Sequence, residues 1–226
     1  MNFFRKLLGQ RLINYYHLFQ AILANLLYGF PSRRLKVIGV TGTDGKTTTV
    51  NLIASVLNQA GRKTSFLSTI NAKIGDKVFD TGLHTTTPSS FLLQKFLRQI
   101  VRSGSEFAVI EVTSHALDQY RTWGIDFETA VLTNITPEHL DYHKTFEEYN
   151  RAKMKLFTLA KNWVLNSNAP QPPLKLRGGE GELLTYGLSP QAQIWADNIK
   201  EDLKSTAFTC HIQHTRLRHG QATYNI

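Results

Sequence analysis

The chain of 226 residues has one cysteine, Cys210, and this scarcity excludes an intramolecular disulfide framework and a multi-cysteine zinc site. A reducing compartment is the natural home of such a chain, and the cytoplasm is the default. Acidic residues are also scarce: 17 Asp and Glu stand against 26 Lys and Arg, a formal charge of +9. That excess favours anionic partners, but nucleic acid, anionic lipid and a polyphosphate ligand satisfy it equally. No signal peptide is evident, because Arg5 and Lys6 are not followed by a clean apolar core and a small-residue cleavage site. Neither an internal repeat nor a low-complexity tract is present.

What the chain does contain begins with an arm. Over residues 1–34, Leu12, Tyr16, Phe19, Leu23, Leu26 and Phe30 recur at helical spacing, with Asn14, His17, Gln20 and Asn25 on other faces. The pattern predicts an amphipathic helix ending near Gly29 and Pro31. The polar interruptions spoil the run of about 20 apolar residues that spanning a membrane needs. A helix packed on its own domain is favoured over one lying on a membrane surface with the help of Arg5, Lys6 and Arg11.

From Leu35 to the end, residues 35–226, apolar strand-like runs alternate with helix-like segments: VIGVTG, TVNLIASVLNQAG, TSFLSTI, PSSFLLQKFLRQIVRSG, FAVIEV, TAVLTNI and EEYNRAKMKLF. This order predicts an α/β fold with a mostly parallel, doubly wound sheet. FAVIEV and TAVLTNI are nearly continuous apolar runs, as expected of strands covered on both faces. Their polar ends, Glu111 and Asn134, then fall at the carboxyl edge, where open sheets of this class bind ligands. Beyond Lys161 the pattern is less regular. AKNWVLN and the end of GGEGELLTYG read as strands, PQPP as a loop, and IWADNIKEDLKSTAFTCHIQH as an antiparallel addition.

The first strand leads into Thr41-Gly42-Thr43-Asp44-Gly45-Lys46-Thr47, and a helix pattern follows. A glycine-rich turn at a helix N-terminus presents amide groups and the positive end of the helix dipole to phosphate. In such a P-loop the lysine neutralises the outer phosphates, and the hydroxyl after it suits Mg²⁺. The strict spacing would place a glycine where Val40 stands, so this is a variant loop.

Two further groups of polar residues follow strand ends. Glu111, with Thr113, Ser114 and His115 beside it, could hold a metal or orient water; taken alone, it could equally be a helix-capping acid. Glu138, His139, Asp141 and His143 cluster after TAVLTNI, and imidazole with carboxylate suits Mg²⁺ or Mn²⁺. A capped or solvated loop is the alternative for these histidines. By spacing alone, Lys153 reads as a solvated helix lysine beside Lys155. Likewise HTTTPSS reads as a helix N-terminus capped by Thr87, with Pro88 at the first position.

In this order, TGTDGKTTT, HTTTP, EVTSHALDQYR, TNITPEHLDYH and YNRAKMKLF resemble the Mur ligase family, most closely the enzymes that extend UDP-N-acetylmuramoyl-L-alanyl-D-glutamate. The resemblance runs from about Val37 to the chain end. It implies the family's central ATP-binding domain and an ATP-dependent amide ligase of peptidoglycan precursor synthesis, working through an acyl phosphate, with no nucleic acid involved. It implies ATP contacts from Gly42, Thr43, Asp44, Gly45, Lys46, Thr47, Thr48 and Asn134. Of two Mg²⁺ ions, the first is expected on Thr47 and Glu111 and the second on His139 and a carbamylated Lys153. Lys46, His139 and Lys153 are the implied catalytic groups. Thr86, Thr87, Thr113, Gln119 and Arg121 match positions that contact the muramoyl-dipeptide, and a guanidinium fork such as that of Arg121 suits a carboxylate.

Departures from the family pattern are Glu138 where Asp is usual, Thr113 where Ser is usual, and an LNSNAP segment without the acidic pair common there. The family's UDP-binding domain and carboxyl-terminal ligase domain have no counterpart here, which leads to the expectation of a fragment or of a partner chain supplying the latter. A folylpolyglutamate or cyanophycin type of ligase is the related alternative, against which EVTSHALDQYR argues. A non-catalytic nucleotide-binding module is the alternative of another class.

Overall fold

The structure, a computed structural model, describes residues 2–80, 87–138, 140–170, 181–202, 205–213 and 220–225. A helix α1 (Asn2–Tyr28) and a 3₁₀ turn (Pro31–Arg34) lead into strand β1 (Lys36–Thr41) and helix α2 (Lys46–Gln59). Then come β2 (Thr64–Leu67), a hairpin of β3 (Asn71–Ile74) and β4 (Lys77–Asp80), α3 (Ser90–Arg102), β5 (Phe107–Glu111) and α4 (Ser114–Asp118). The second half holds β6 (Phe127–Leu132), α5 (Leu140–His143), α6 (Phe146–Leu159), β7 (Ala160–Asn166) and β8 (Leu183–Gly187), followed by β9 (Ile194–Glu201), β10 (Thr206–Ile212) and β11 (Gly220–Asn225).

Among the described residues eleven strands join one sheet in the order β11-β10-β9-β8-β7-β6-β1-β5-β2-β3-β4. The strands from β2 through β5, β1, β6, β7 and β8 to β9 are mutually parallel. Antiparallel pairing appears at both ends: β9 and β10 at one, as the sequence suggests, with β11 added beyond them, and the β2-β3-β4 meander at the other. The hairpin has no counterpart in the sequence reading, because NAKIGDKVFD offers only two short runs around Gly75, whose φ of +59° makes the turn.

Alternate residues of the central strands serve opposite faces. On one face Val40, Phe66, Val109 and Val131 pack against Val50 and Ala54 of α2. On the other, Ala108, Ile110, Phe127, Ala130 and Leu132 meet Leu93, Leu97 and Ile100 of α3 and Leu156 and Phe157 of α6. Burial on both faces accounts for the continuous apolar runs. Because the strands are parallel, the carboxyl ends of β1, β2, β5 and β6 open onto one edge, with Val40 level with Glu111 and Thr41 with Leu132.

The arm packs on the domain, but by the face opposite to the one its apolar stripe suggests. Ala21, Ala24 and Asn25 are fully buried, while Leu12, Tyr16, Phe19, Leu23 and Leu26 are exposed and Phe30 is partly buried. The helix lies against α3, the small alanines of its buried face admit a close approach to the domain, and Asn25 Nδ2 donates to the Trp123 carbonyl at 2.7 Å. Among the described residues no helix is long and apolar enough to cross a membrane.

Candidate functional site

The turn between β1 and α2 is built on glycine where nothing else fits. A Cβ on Gly42 would lie 1.8 Å from Thr133 Oγ1, and Gly45, the N-cap of α2, has φ +74°. The amides at the start of α2 lack intrahelical carbonyl partners and face the sheet edge with the positive end of the helix dipole. Lys46 Nζ donates to the Thr43 carbonyl at 2.6 Å. Asn134 braces the turn: its Oδ1 accepts from the Asp44 amide at 2.9 Å and the Thr43 amide at 3.2 Å, and its Nδ2 donates to the Asp44 carbonyl. Thr48 is exposed on the first turn of α2. From Thr47 and Thr48 an open cavity of about 1020 Å³ extends past Asn51 and Ser55 to Phe66 and Ile70.

Glu111 ends β5 beside this turn and is buried. Its Oε2 accepts from the Thr47 hydroxyl at 2.9 Å and from both the amide and hydroxyl of Thr69 at 3.0 Å. It is not the helix cap that its position alone allows; Thr113 caps α4 by accepting from the Ala116 amide. A carboxylate and a hydroxyl held together beside a glycine turn at a helix N-terminus suit Mg²⁺, which takes one or two protein oxygens and completes its shell with phosphate and water. Among the described residues no three His, Cys, Asp or Glu side chains form a metal-binding group by themselves.

Lys153 is not the solvated lysine of the spacing argument. It projects from α6 into the protein and is 2% exposed, with Nζ 3.3 Å from Thr43 Oγ1 and 4.2 Å from the Tyr149 ring centroid. Burial first, then the charge of Lys46, bring its amine down to about 7, against weaker pulls from Glu138 and Asp44. Thr43 Oγ1 joins the two halves of the site, since it also bonds the Tyr149 hydroxyl at 3.0 Å and the Thr136 carbonyl at 3.1 Å. Burial raises the Tyr149 phenol above its ordinary range, with the Thr43 hydroxyl opposing the shift.

The described residues expected near the substrate form one network. The Thr87 hydroxyl donates to the Glu111 carbonyl and lies 3.1 Å from that of Thr113. Arg121 donates to the Thr87 carbonyl at 3.0 Å and to Gln119 Oε1 at 2.9 Å, and Gln119 donates to Tyr142. Thr87 is therefore a brace between β5 and α4 rather than the cap of α3, whose N-cap is Ser89. His143 is buried with Nε2 2.9 Å from Ser114 Oγ, so it serves a contact with α4. Thr86 and His139 lie outside the described residues, as does the side chain of Asp141.

Thr69 and Tyr149 are the contributors that the sequence reading passes over. Thr69 follows TSFL at the carboxyl edge, where Glu111 drew attention, and Tyr149 precedes Lys153 by one helical turn, the spacing that puts two side chains on one face.

Comparison with known proteins converges on one family. The Mur ligase middle domain model matches residues 40–224. A UDP-N-acetylmuramoyl-L-alanyl-D-glutamate--2,6-diaminopimelate ligase of Geobacillus kaustophilus is 38% identical over 221 residues, covering 91% of this chain and 45% of the relative. A ligase of the same name from Bacillus cereus is 41% identical over 198 residues, 84% of this chain and 40% of the relative. The chain thus spans less than half the length of these relatives. A solved structure of a ligase of that name superposes with a TM-score of 0.70 at 29% identity, over 85% of this chain and 39% of that one. A Mycobacterium tuberculosis folylpolyglutamate synthase complexed with ADP has a TM-score of 0.64 at 14% identity, over 86% of this chain and 51% of that one, a likeness of fold alone. With strand, glycine turn, Glu111 and buried Lys153 assembled as described and the middle-domain model spanning most of its length, the chain belongs to the Mur ligase family.

Proposed function

We propose that this chain supplies the ATP-handling part of an amide ligase that extends UDP-N-acetylmuramoyl-L-alanyl-D-glutamate by one amino acid in the cytoplasm. In this reading residues 35–226 are the catalytic unit and residues 1–34 an added arm. The observation that carries it is the convergence of three groups on one sheet edge: the Gly42–Thr48 turn, the Thr47–Glu111 pair and Lys153, joined through Thr43. Relatives named as ligases of this precursor support the substrate, and 2,6-diaminopimelate is the first amine to try because their names carry it.

The chemistry asks little acid–base work of side chains. A substrate carboxylate attacks the terminal phosphorus of ATP, ADP leaves, and the amine then displaces phosphate from the acyl phosphate, losing a proton as the amide forms. The main obstacle is charge, since two anions must meet, and positioning with electrostatic screening supplies most of the catalysis. The amides at the start of α2 cradle the phosphates, and Lys46, exchanging the Thr43 carbonyl for phosphate oxygen, screens the outer charge. Thr47 and Glu111 would hold the first Mg²⁺, which neutralises phosphate charge when bound.

Lys153 would contribute to the second cation site as a carbamate, with His139 as its partner. The neutral amine adds to CO₂, one proton leaves, and a buried cation becomes a carboxylate-like anion. A lysine whose amine titrates near 7 is available for that addition at neutral pH. The substrate's carboxylate end would meet the Arg121–Gln119–Thr87 network.

The test is ADP release by the purified chain given ATP, Mg²⁺, the muramoyl-dipeptide and 2,6-diaminopimelate, alone and with a separately expressed carboxyl-terminal domain of a relative. Product in either mixture supports the ligase reading. ATP binding without ADP in both mixtures would leave a nucleotide-binding module and reject it.

A further inference from the structure

The outward face of α1 is a continuous apolar surface. Tyr15, Tyr16, Phe19, Leu23, Leu26 and Leu27 are each between 46% and 69% exposed, and at 3.6 residues per turn they fall within an arc of roughly 120°. The opposite face is consumed by the domain through Ala21, Ala24 and Asn25. A helix that is apolar on both sides belongs to the class that is covered on both sides, so the outward face calls for an occupant.

Charge selects that occupant. Residues 1–34 contain Arg5, Lys6, Arg11, Arg33 and Arg34 and no Asp or Glu, and α3, on which α1 lies, adds Lys95, Arg98 and Arg102, again with no acid. Arg34, Lys95, Arg98 and Arg102 share a groove of about 720 Å³ with Leu26 and Leu27 at the end of α1. Among the described residues none of these four forms a salt bridge. We propose that this face docks the protein on an anionic lipid surface, with α1 lying in the interface plane and the groove cations on lipid phosphates. Tyrosines in the stripe suit an interfacial position, since one end of the ring is apolar and the other wet. From Leu12 to Leu27, at 1.5 Å per residue, the exposed strip is about 24 Å long. Apolar burial plus attraction to acidic headgroups is the combination that holds interfacial helices, where neither suffices alone. A second copy is a poorer occupant, because a twofold contact through the same patch would bring two sets of like charges together.

Flotation of the full chain with phosphatidylglycerol vesicles, with phosphatidylcholine vesicles, and with the former at raised salt reads the proposal out. Binding to the anionic vesicles alone, weakened by salt, is expected. Leu23→Ser with Leu26→Ser, and separately Lys95→Glu with Arg98→Glu, should each lower the bound fraction by at least about tenfold, given roughly 1 kcal/mol per basic residue near the surface. Both pairs lie at the surface, and unchanged far-ultraviolet circular dichroism and melting temperature confirm that each variant is folded. No binding to anionic vesicles overturns the proposal. So does binding indifferent to the leucine pair, which would reduce the effect to non-specific adsorption, and so does a concentration-dependent dimer, abolished by the leucine pair, in a chain that ignores vesicles.

Discussion

The Thr47 hydroxyl donates to Glu111 Oε2 at 2.9 Å, joining the first turn of α2 to the end of β5 across 64 residues of sequence. The contact exists because β1 and β5 are parallel neighbours: the turn after one strand and the last residue of the other must share an edge. Glu111→Gln keeps the shape and an acceptor but removes the charge. It should weaken ATP binding in the presence of Mg²⁺ by at least about tenfold, or about 1.4 kcal/mol, and leave binding in chelator unchanged, as read by isothermal titration. Glu111→Ala should also lower stability by about 1–3 kcal/mol, because the partly buried donors of Thr47 and Thr69 lose their three hydrogen bonds to the carboxylate. Equal magnesium dependence in wild type and Glu111→Gln would reject the cation role.

Gly42→Ala places a methyl group 1.8 Å from the Thr133 hydroxyl, a distance no rotamer change of an alanine can relieve. The turn must shift, at a cost of about 1–3 kcal/mol for overpacking. ATP affinity should fall at least tenfold, because the cradle amides move with the turn. A companion Gly42→Ala/Thr133→Ser variant tests the cause little, as the hydroxyl stays; Thr133→Val is also no relief. Gly42→Ala/Thr133→Ala removes the obstructing oxygen and should recover part of the loss in thermal melts, whereas a double variant no better than Gly42→Ala would place the strain in the backbone angle instead.

Much of the fold is legible because parallel strands buried on both faces leave an unambiguous trace in FAVIEV and TAVLTNI. The glycine turn is legible for a related reason: a strand, a turn and a helix have to coincide before the amides can converge. Lys153 is not legible from that reading, since a charged side chain on a helix, here with Lys155 two positions on, usually faces water. Only the packing of α6 onto the sheet shows that Lys153 points inward while Lys155 pairs with Asp118 at 2.7 Å. The orientation of α1 also escapes pattern reading, because a stripe of Leu, Tyr and Phe is expected to face the core. Here the sterically small face carrying Ala21 and Ala24 is the one buried on the domain, and Asn25 on it satisfies the Trp123 carbonyl.

Burial pushes the Asp118 carboxyl up, but the hydrogen bond and charge of Lys155, with hydrogen bonds from Asn14 and Tyr142, outweigh it and leave it below its ordinary value of 3.8. A depressed carboxylate contributes stability that is fully present above the unfolded value, near 4, and is lost as pH falls through the lower folded value. Asp118→Asn should therefore reduce stability at pH 6 to 7 and flatten the acid limb of the stability curve below pH 4. Chemical denaturation from pH 2 to pH 7 checks this, and an acid limb identical to that of wild type would show that the pair with Lys155 carries no linkage.

Asn25 seats the arm: Nδ2 donates to the Ala21 and Trp123 carbonyls, and Gly124 passes so close that a Cβ there would lie 2.8 Å from the Asn25 side chain. Asn25→Ala removes both bonds, the one to the partly buried Trp123 carbonyl included, a loss of about 0.5–1.5 kcal/mol for each. Hydrogen exchange of α1 should accelerate by roughly tenfold or more while the strands β1, β5 and β6 exchange as before. Uniform acceleration through the sheet would instead make α1 an integral part of the folding unit.

A buried amine with folded pKa about 7 against 10.5 in the open chain destabilises the native state wherever the unfolded chain holds the proton more tightly. Between those two values the unfolded chain binds more protons than the folded one, so stability rises with pH across that window; below about 7 the penalty is complete. Lys153→Met keeps the length of the side chain and removes the charge. In CO₂-free buffer it should be more stable than wild type at pH 7, and each pH unit up to about 10 should narrow the gap by up to about 1.4 kcal/mol. The same variant should lose ATP-dependent turnover in any assay in which wild type shows it, since function would be maintained there at the expense of stability. Addition of ¹³C-bicarbonate to wild type should give a carbamate carbon resonance that Lys153→Met lacks. Parallel stability profiles for the two chains, together with no such resonance, would mean that Lys153 is neither strained by burial nor poised for CO₂.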